Sequence, residues 1–62
     1  MRLFKVPNGS YVKLLALKED NVLYFDRLDG QYSICYTKEG NLVHPHGTTE
    51  VEVVTQPTDW NI

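Results

Sequence analysis

The chain has 62 residues, with six basic and eight acidic side chains, a formal net charge of −2 and one cysteine. A length of this order gives a single domain, residues 1–62, that buries only about 60% of its unfolded surface and gains roughly 3–5 kcal/mol of net stability from its core. One cysteine excludes an internal disulfide and a four-cysteine zinc site, which leaves association with another chain as the common remaining source of stability.

Charge bears on partners. Arg2, Lys5, Lys13, Lys18 and Arg27 are dispersed among Glu19, Asp20, Asp26 and Asp29, and Lys38 is the only basic residue of the second half. Phosphate-tracking surfaces cluster their Lys and Arg, so this distribution argues against nucleic acid. The start MRLFKV does not lead into a signal peptide, and no apolar run approaches the ~18 residues of a membrane span. A cytoplasmic protein with no membrane segment is the expectation, and the lone cysteine fits a reducing compartment.

In chain order, Arg2 to Val6 alternates as a short strand and stops at Pro7-Asn8-Gly9, where proline removes a ladder donor and Asn-Gly takes a turn. Tyr11 to Leu17 has helix-forming residues, but it is bounded by Gly9 and the polar run Lys18 to Asn21. That is shorter than the ~10–12 residues a helix needs, so it reads as a strand. Asn21 to Thr37 is the organising stretch: Val22 to Phe25 and Gln31 to Thr37 flank Asp29-Gly30, the pairing that marks a two-residue hairpin turn. Lys38 to Asn41 predicts a second hairpin turn, Leu42 to His44 a third meander strand, and His46 to Thr49 a short irregular or one-turn connection after Pro45. Glu50 to Thr55 alternates acid and valine as a closing strand. Gln56 to Ile62 is a polar tail holding two large apolar residues. No segment has helical period and length, which makes the domain all-β.

Three meander strands with tight turns at Asp29-Gly30 and Glu39-Gly40, the connection at His46 to Thr49 and a short closing strand together resemble the small SH3-like and Sm-like barrels. The resemblance covers residues 9–55, with 56–62 as a tail, and implies a barrel of about five antiparallel strands. It is topological. No peptide-binding loop or RNA-pocket motif accompanies it, and it implies no functional residue.

Two strands depart from simple alternation. Leu14 to Leu17 and Val22 to Phe25 each present four apolar residues in succession, so both faces of these strands are apolar although a small barrel has one interior. Scattered surface apolar residues are ordinary, and a partner-covered patch is the sharper reading. The candidate interface is Leu14, Leu15, Leu17, Leu23, Tyr24, Phe25 and Trp60, the last as an exposed tryptophan near the chain's end.

Chemical constellations are few. His44-Pro45-His46 places two imidazoles two residues apart, candidate metal ligands if Glu50 or Glu52 supplied a third donor; solvated histidines at a proline-ended strand are the simpler reading, and no metal or cofactor is expected. Cys35, mid-strand between Ile34 and Tyr36, reads as an inert buried thiol. Glu50 and Glu52 read as a solvated strand face rather than an acid/base pair. Tyr11, Tyr24, Tyr32, Tyr36 and Trp60 would serve as base-stacking platforms only beside a positive groove, so packing is their better assignment. The sequence therefore predicts a non-enzymatic association module, forming a homo-oligomer or binding another protein, with a nucleic-acid-binding small barrel as the alternative.

Overall fold

The computed structural model of the chain describes residues 1–16, 22–58 and 60. A single 3₁₀ turn, Leu3–Lys5, precedes five strands: β1 Ser10–Leu14, β2 Val22–Asp29, β3 Tyr32–Tyr36, β4 Leu42–Val43 and β5 Val51–Val54. They form one antiparallel sheet in the order β4-β3-β2-β1-β5. Successive strands are thus neighbours from β1 to β4, and β5 returns to lie beside β1. β4 and β5 are the edges, so the described residues make an open sheet.

Its first segment differs from the expected strand at Arg2 to Val6. Only Arg2 bridges, to Glu50, while the Lys5 and Val6 amides donate to the Arg2 and Leu3 carbonyls, each at 3.0 Å. In a 3₁₀ turn residues i and i+3 eclipse, which puts Leu3 and Val6 on one side. Both are buried. In a strand they would have faced opposite ways, and one of them would have been lost to the core.

β2 and β3 fix the phase of everything else. Asp29 pairs with Tyr32, so the two turn residues are Gly30-Gln31, one position later than the sequence predicts. Gly30 alone has a positive φ, 65°, which is the pattern of a II′ hairpin turn with glycine at its first central position. Further along, Phe25 opposes Cys35 while Arg27 opposes Ile34, leaving Asp26 as the extra residue of a β-bulge. The second hairpin is a three-residue loop with Gly40 at φ 87°, held by the Thr37 amide donating to the Asn41 carbonyl and the Gly40 amide to the Thr37 carbonyl, both at 2.9 Å.

The core comprises Leu3, Val6, Val12, Leu23, Phe25, Cys35 and Val51, with Leu14 and Val43 packed against it. Tyr11 to Leu17 shortens to β1 because Leu15 and Ala16 form a turn, anchored by the Leu15 amide on the Glu50 carbonyl at 3.2 Å; Leu17 lies outside the described residues. On β3 the small side chains point inward. Cys35 sits opposite Phe25, a small partner for a large ring, and buried Ser33 donates its hydroxyl to the Pro45 carbonyl at 2.7 Å. That same carbonyl accepts the Ser33 amide at 2.9 Å, and Tyr32 bridges to His46, so the chain follows β3 past the end of β4. The connection then passes Thr49, whose amide bonds the His46 carbonyl at 3.0 Å as the expected single turn.

Phe25 is the largest fully buried side chain. Phe25→Ala should cost about 3–5 kcal/mol, as much as the whole net stability of a chain this size, and leave it unfolded by circular dichroism at 25 °C. Val53→Ala, at a residue 45% exposed, should shift the urea midpoint only slightly.

Candidate binding face

Strand parity assigns each apolar pair to a face. Leu23 and Phe25 of the predicted interface lie inside the core, and Leu14 packs against it. Leu15 is exposed, in the turn after β1. Tyr24 points to the opposite side of the sheet from Leu23 and Phe25, because alternate strand residues face opposite ways.

On that outer side the register lines up one residue from every strand. Val54 is the partner of Tyr11, Tyr11 of Tyr24, Tyr24 of Tyr36, and Tyr36 of Leu42. An apolar rung therefore crosses all five strands, and at about 4.8 Å per strand it is about 19 Å long. The four residues Val54, Tyr11, Tyr24 and Tyr36 are half-buried, and Leu42 at the β4 edge is 56% exposed.

Trp60 is laid over one end of this rung. The sequence predicts an exposed tryptophan; it is instead only 9% exposed, its ring edge-on to Tyr11 at 5.2 Å and 85°. The tail reaches back because the Trp60 amide donates to the Pro57 carbonyl at 3.2 Å, turning the chain over the sheet. Tyr11 and Tyr24 meet at 5.4 Å and 62°, and Tyr24 and Tyr36 at 6.3 Å and 38°. The two edge-to-face pairs, Tyr11–Trp60 and Tyr11–Tyr24, add about 0.5–1.5 kcal/mol each beyond the area they bury. Together with Thr37, Lys38 and Gly40 of the second hairpin loop, the four rings line an open cleft of about 510 Å³. No carboxylate is among the described residues that line it.

The loop is fixed relative to the rings. Besides its backbone bonds, the Asn41 amide donates to Thr37 Oγ1 at 3.1 Å, so Thr37 and Lys38 enter the cleft wall from a closed hairpin.

The other candidates fall elsewhere. His44 Nδ1 lies 3.0 Å from the Ser33 carbonyl, to which it donates. His46 Nδ1 accepts the Thr48 amide at 3.2 Å and lies 2.8 Å from Thr48 Oγ1, with its ring edge-on to Tyr32 at 5.1 Å. Both Nδ1 atoms are thus engaged with protein groups. Among the described residues no three His, Cys, Asp or Glu side chains converge on a metal position. Glu50 is engaged with the Met1 amine at 3.3 Å and the Arg2 guanidinium at 3.6 Å. Cys35 is buried, with its sulfur 3.4 Å from Ser33 Oγ. Burial pushes its thiol pKa up, the Ser33 hydrogen bond pulls it down, and the charge of Asp26 raises it further.

Val54, Leu42 and the alignment of Tyr11 with Tyr36 had no signal in the sequence, because the rung exists only in this register. No protein-family model matches the chain, and neither a curated protein nor a solved structure matches it.

The Cys35 thiol should stay neutral and shielded in the folded chain. Titration with a disulfide reagent at pH 8 should modify it far more slowly than in denaturant, with complete reaction once unfolded; equal rates in both states would contradict its burial.

Proposed function

We propose that the chain is a non-enzymatic protein-association module whose contact surface is the aromatic rung Val54, Tyr11, Tyr24, Tyr36 and Leu42 with Trp60. The observation that carries this reading is the placement of three tyrosines in one cross-strand row outside the core, with a tryptophan laid on Tyr11, so that the four rings line an open cleft. Interfaces concentrate Tyr and Trp, whose large rings contact a partner at low entropic cost. An outer surface needed only for solubility would not gather them. The strand order and the turn between the last two strands support an SH3-like or Sm-like affiliation, and the protein is best placed in the cytoplasm.

A nucleic-acid role draws on the same rings and on Lys38. The ring planes oppose it: pairs inclined at 85°, 62° and 38° do not offer the parallel series of faces on which successive bases stack. The net charge of −2 adds nothing to phosphate affinity.

The partner is a second copy or a different polypeptide. Sedimentation velocity at micromolar to sub-millimolar concentration should show a species heavier than the 7.2 kDa chain, and Tyr24→Ala should return it to monomer mass. A monomer at every concentration removes self-association and leaves a different polypeptide as the occupant of the rung.

A further inference from the structure

Resting on the association reading above, we infer that the partner on the rung is a second copy of this chain, bound face to face through the whole outer side of the sheet about a two-fold axis near Tyr24. The rung is only the middle of that side. Val22, two residues before Tyr24 on β2, and Ile34 and Tyr32, two and four residues before Tyr36 on β3, point the same way, since side chains alternate along a strand. Val22 and Ile34 are half-buried and Tyr32 is 54% exposed. The apolar outer side therefore runs about 19 Å across the five strands and about 13 Å along β3.

Area selects the kind of partner. A stable contact between two globular surfaces takes about 800 Å² of accessible surface from each. The chain measures 29 × 21 × 18 Å, so even its broadest side is about 600 Å² laid flat, and its total accessible surface is 4284 Å². An association here must take up nearly a whole side of the sheet, from β5 to β4, with its apolar middle and the polar residues Lys13, Glu52 and Arg27 around it. A partner that touches one strand or one corner falls short of that area.

A second copy supplies what that side requires. Strands twist in one hand, and two sheets that share this twist pack face to face about 10 Å apart with their strands inclined by about 30°. The same face of another copy has the matching twist and width by construction. The rung also has a middle: Tyr24, on the central strand β2, has Tyr11 and Val54 on one side and Tyr36 and Leu42 on the other. A two-fold axis there lays the β1–β5 half of each copy over the β3–β4 half of the other. The first half is raised by Trp60 on Tyr11, and the second is open, with Leu42 56% exposed, so the relief of one half complements the other. Such a contact uses the same patch on both copies and closes at two.

Sedimentation equilibrium of the full chain up to sub-millimolar concentration should give a species of twice the 7.2 kDa chain mass and none larger. Ile34→Glu, and Leu42→Glu at an exposed position outside the core, each bury a carboxylate in the contact and should raise the dimer dissociation constant about tenfold or more. Val53→Glu, at a residue 45% exposed on the opposite side of the sheet beside Val12, should leave it within about twofold. Far-UV circular dichroism of each variant checks that the sheet is retained.

Assemblies larger than two would overturn the inference, because a two-fold contact leaves no second face to extend it. A monomer at every concentration would overturn it too, while leaving a different polypeptide as the occupant of the rung. Dimers that Tyr24→Ala dissociates but that Ile34→Glu and Leu42→Glu leave intact would remove the whole-face contact and keep the association reading. Dimers that respond to Val53→Glu alone would remove both.

Discussion

A single inserted residue, Asp26, keeps the two faces of the sheet in phase from one end of the β2–β3 hairpin to the other. On the loop side of the bulge Leu28 pairs with Ser33, and on the far side Phe25 pairs with Cys35. Side chains alternate with a period of two, so a straight ladder from the Asp29–Tyr32 pair would have carried Tyr24 opposite Thr37. With Asp26 set aside, Tyr24 instead meets Tyr36 while Phe25 and Cys35 stay inside. The bulge residue's carboxylate accepts a hydrogen bond from the Arg27 guanidinium at 2.6 Å. Core and rung are two consequences of one register.

That register leaves a small core, and the N-terminal segment completes it. Leu3 and Val6 enter from a 3₁₀ turn whose ends are tied to the chain on the far side. The Leu3 amide bonds the Thr49 carbonyl and the Phe4 amide the Gly47 carbonyl, both at 2.9 Å, while the Val51 amide bonds the Met1 carbonyl at 2.8 Å. These bonds occupy backbone groups along the connection from β4 to β5 and at the start of β5, where an unpaired edge would otherwise invite another strand. The ion pairs of Met1 and Arg2 with Glu50 are half-exposed and add little beside this backbone pairing. β4, at two residues, is blunted by its shortness.

Strand existence was legible in the sequence because it depends on local alternation and on turn residues. All five strands fall within or overlap their predicted stretches, and Gly30 and Gly40 both sit in the predicted turns. Face assignment was not legible. It required the turn to be Gly30-Gln31 rather than Asp29-Gly30 and the ladder to slip once at Asp26, two shifts of one residue that propensity does not distinguish. For that reason the apolar run at Val22 to Phe25 signalled a two-sided strand, while the side to which Leu23, Tyr24 and Phe25 each belonged was hidden; the run from Leu14 leaves the sheet at once, with Leu15 and Ala16 in a turn. Segment 2–6 was misread for a different reason: with Leu3, Phe4 and Val6 all apolar, it fits both a period of two and the i, i+3 spacing of a single turn. Trp60 was hidden because a tail's return depends on a tertiary surface, here Tyr11, which no local pattern encodes.

The choice of side chains on the outer face follows from its having to tolerate both water and a partner. A row of leucines crossing five strands would be a continuous apolar stripe, and an exposed stripe of that kind promotes aggregation. Tyrosine buries its ring against its cross-strand neighbours, where the ring contacts at 5.4 and 6.3 Å hold the row together, and it keeps a hydroxyl for solvent. The rung thereby stabilises the isolated sheet and remains a surface with flat ring area to offer. Trp60 adds to the same balance: its contact with Tyr11 covers one end of the row, while Leu42, the most exposed member, leaves the other end open beside Lys38. A chain too small for a second core can in this way give one row of residues two tasks, provided that the register keeps the row intact.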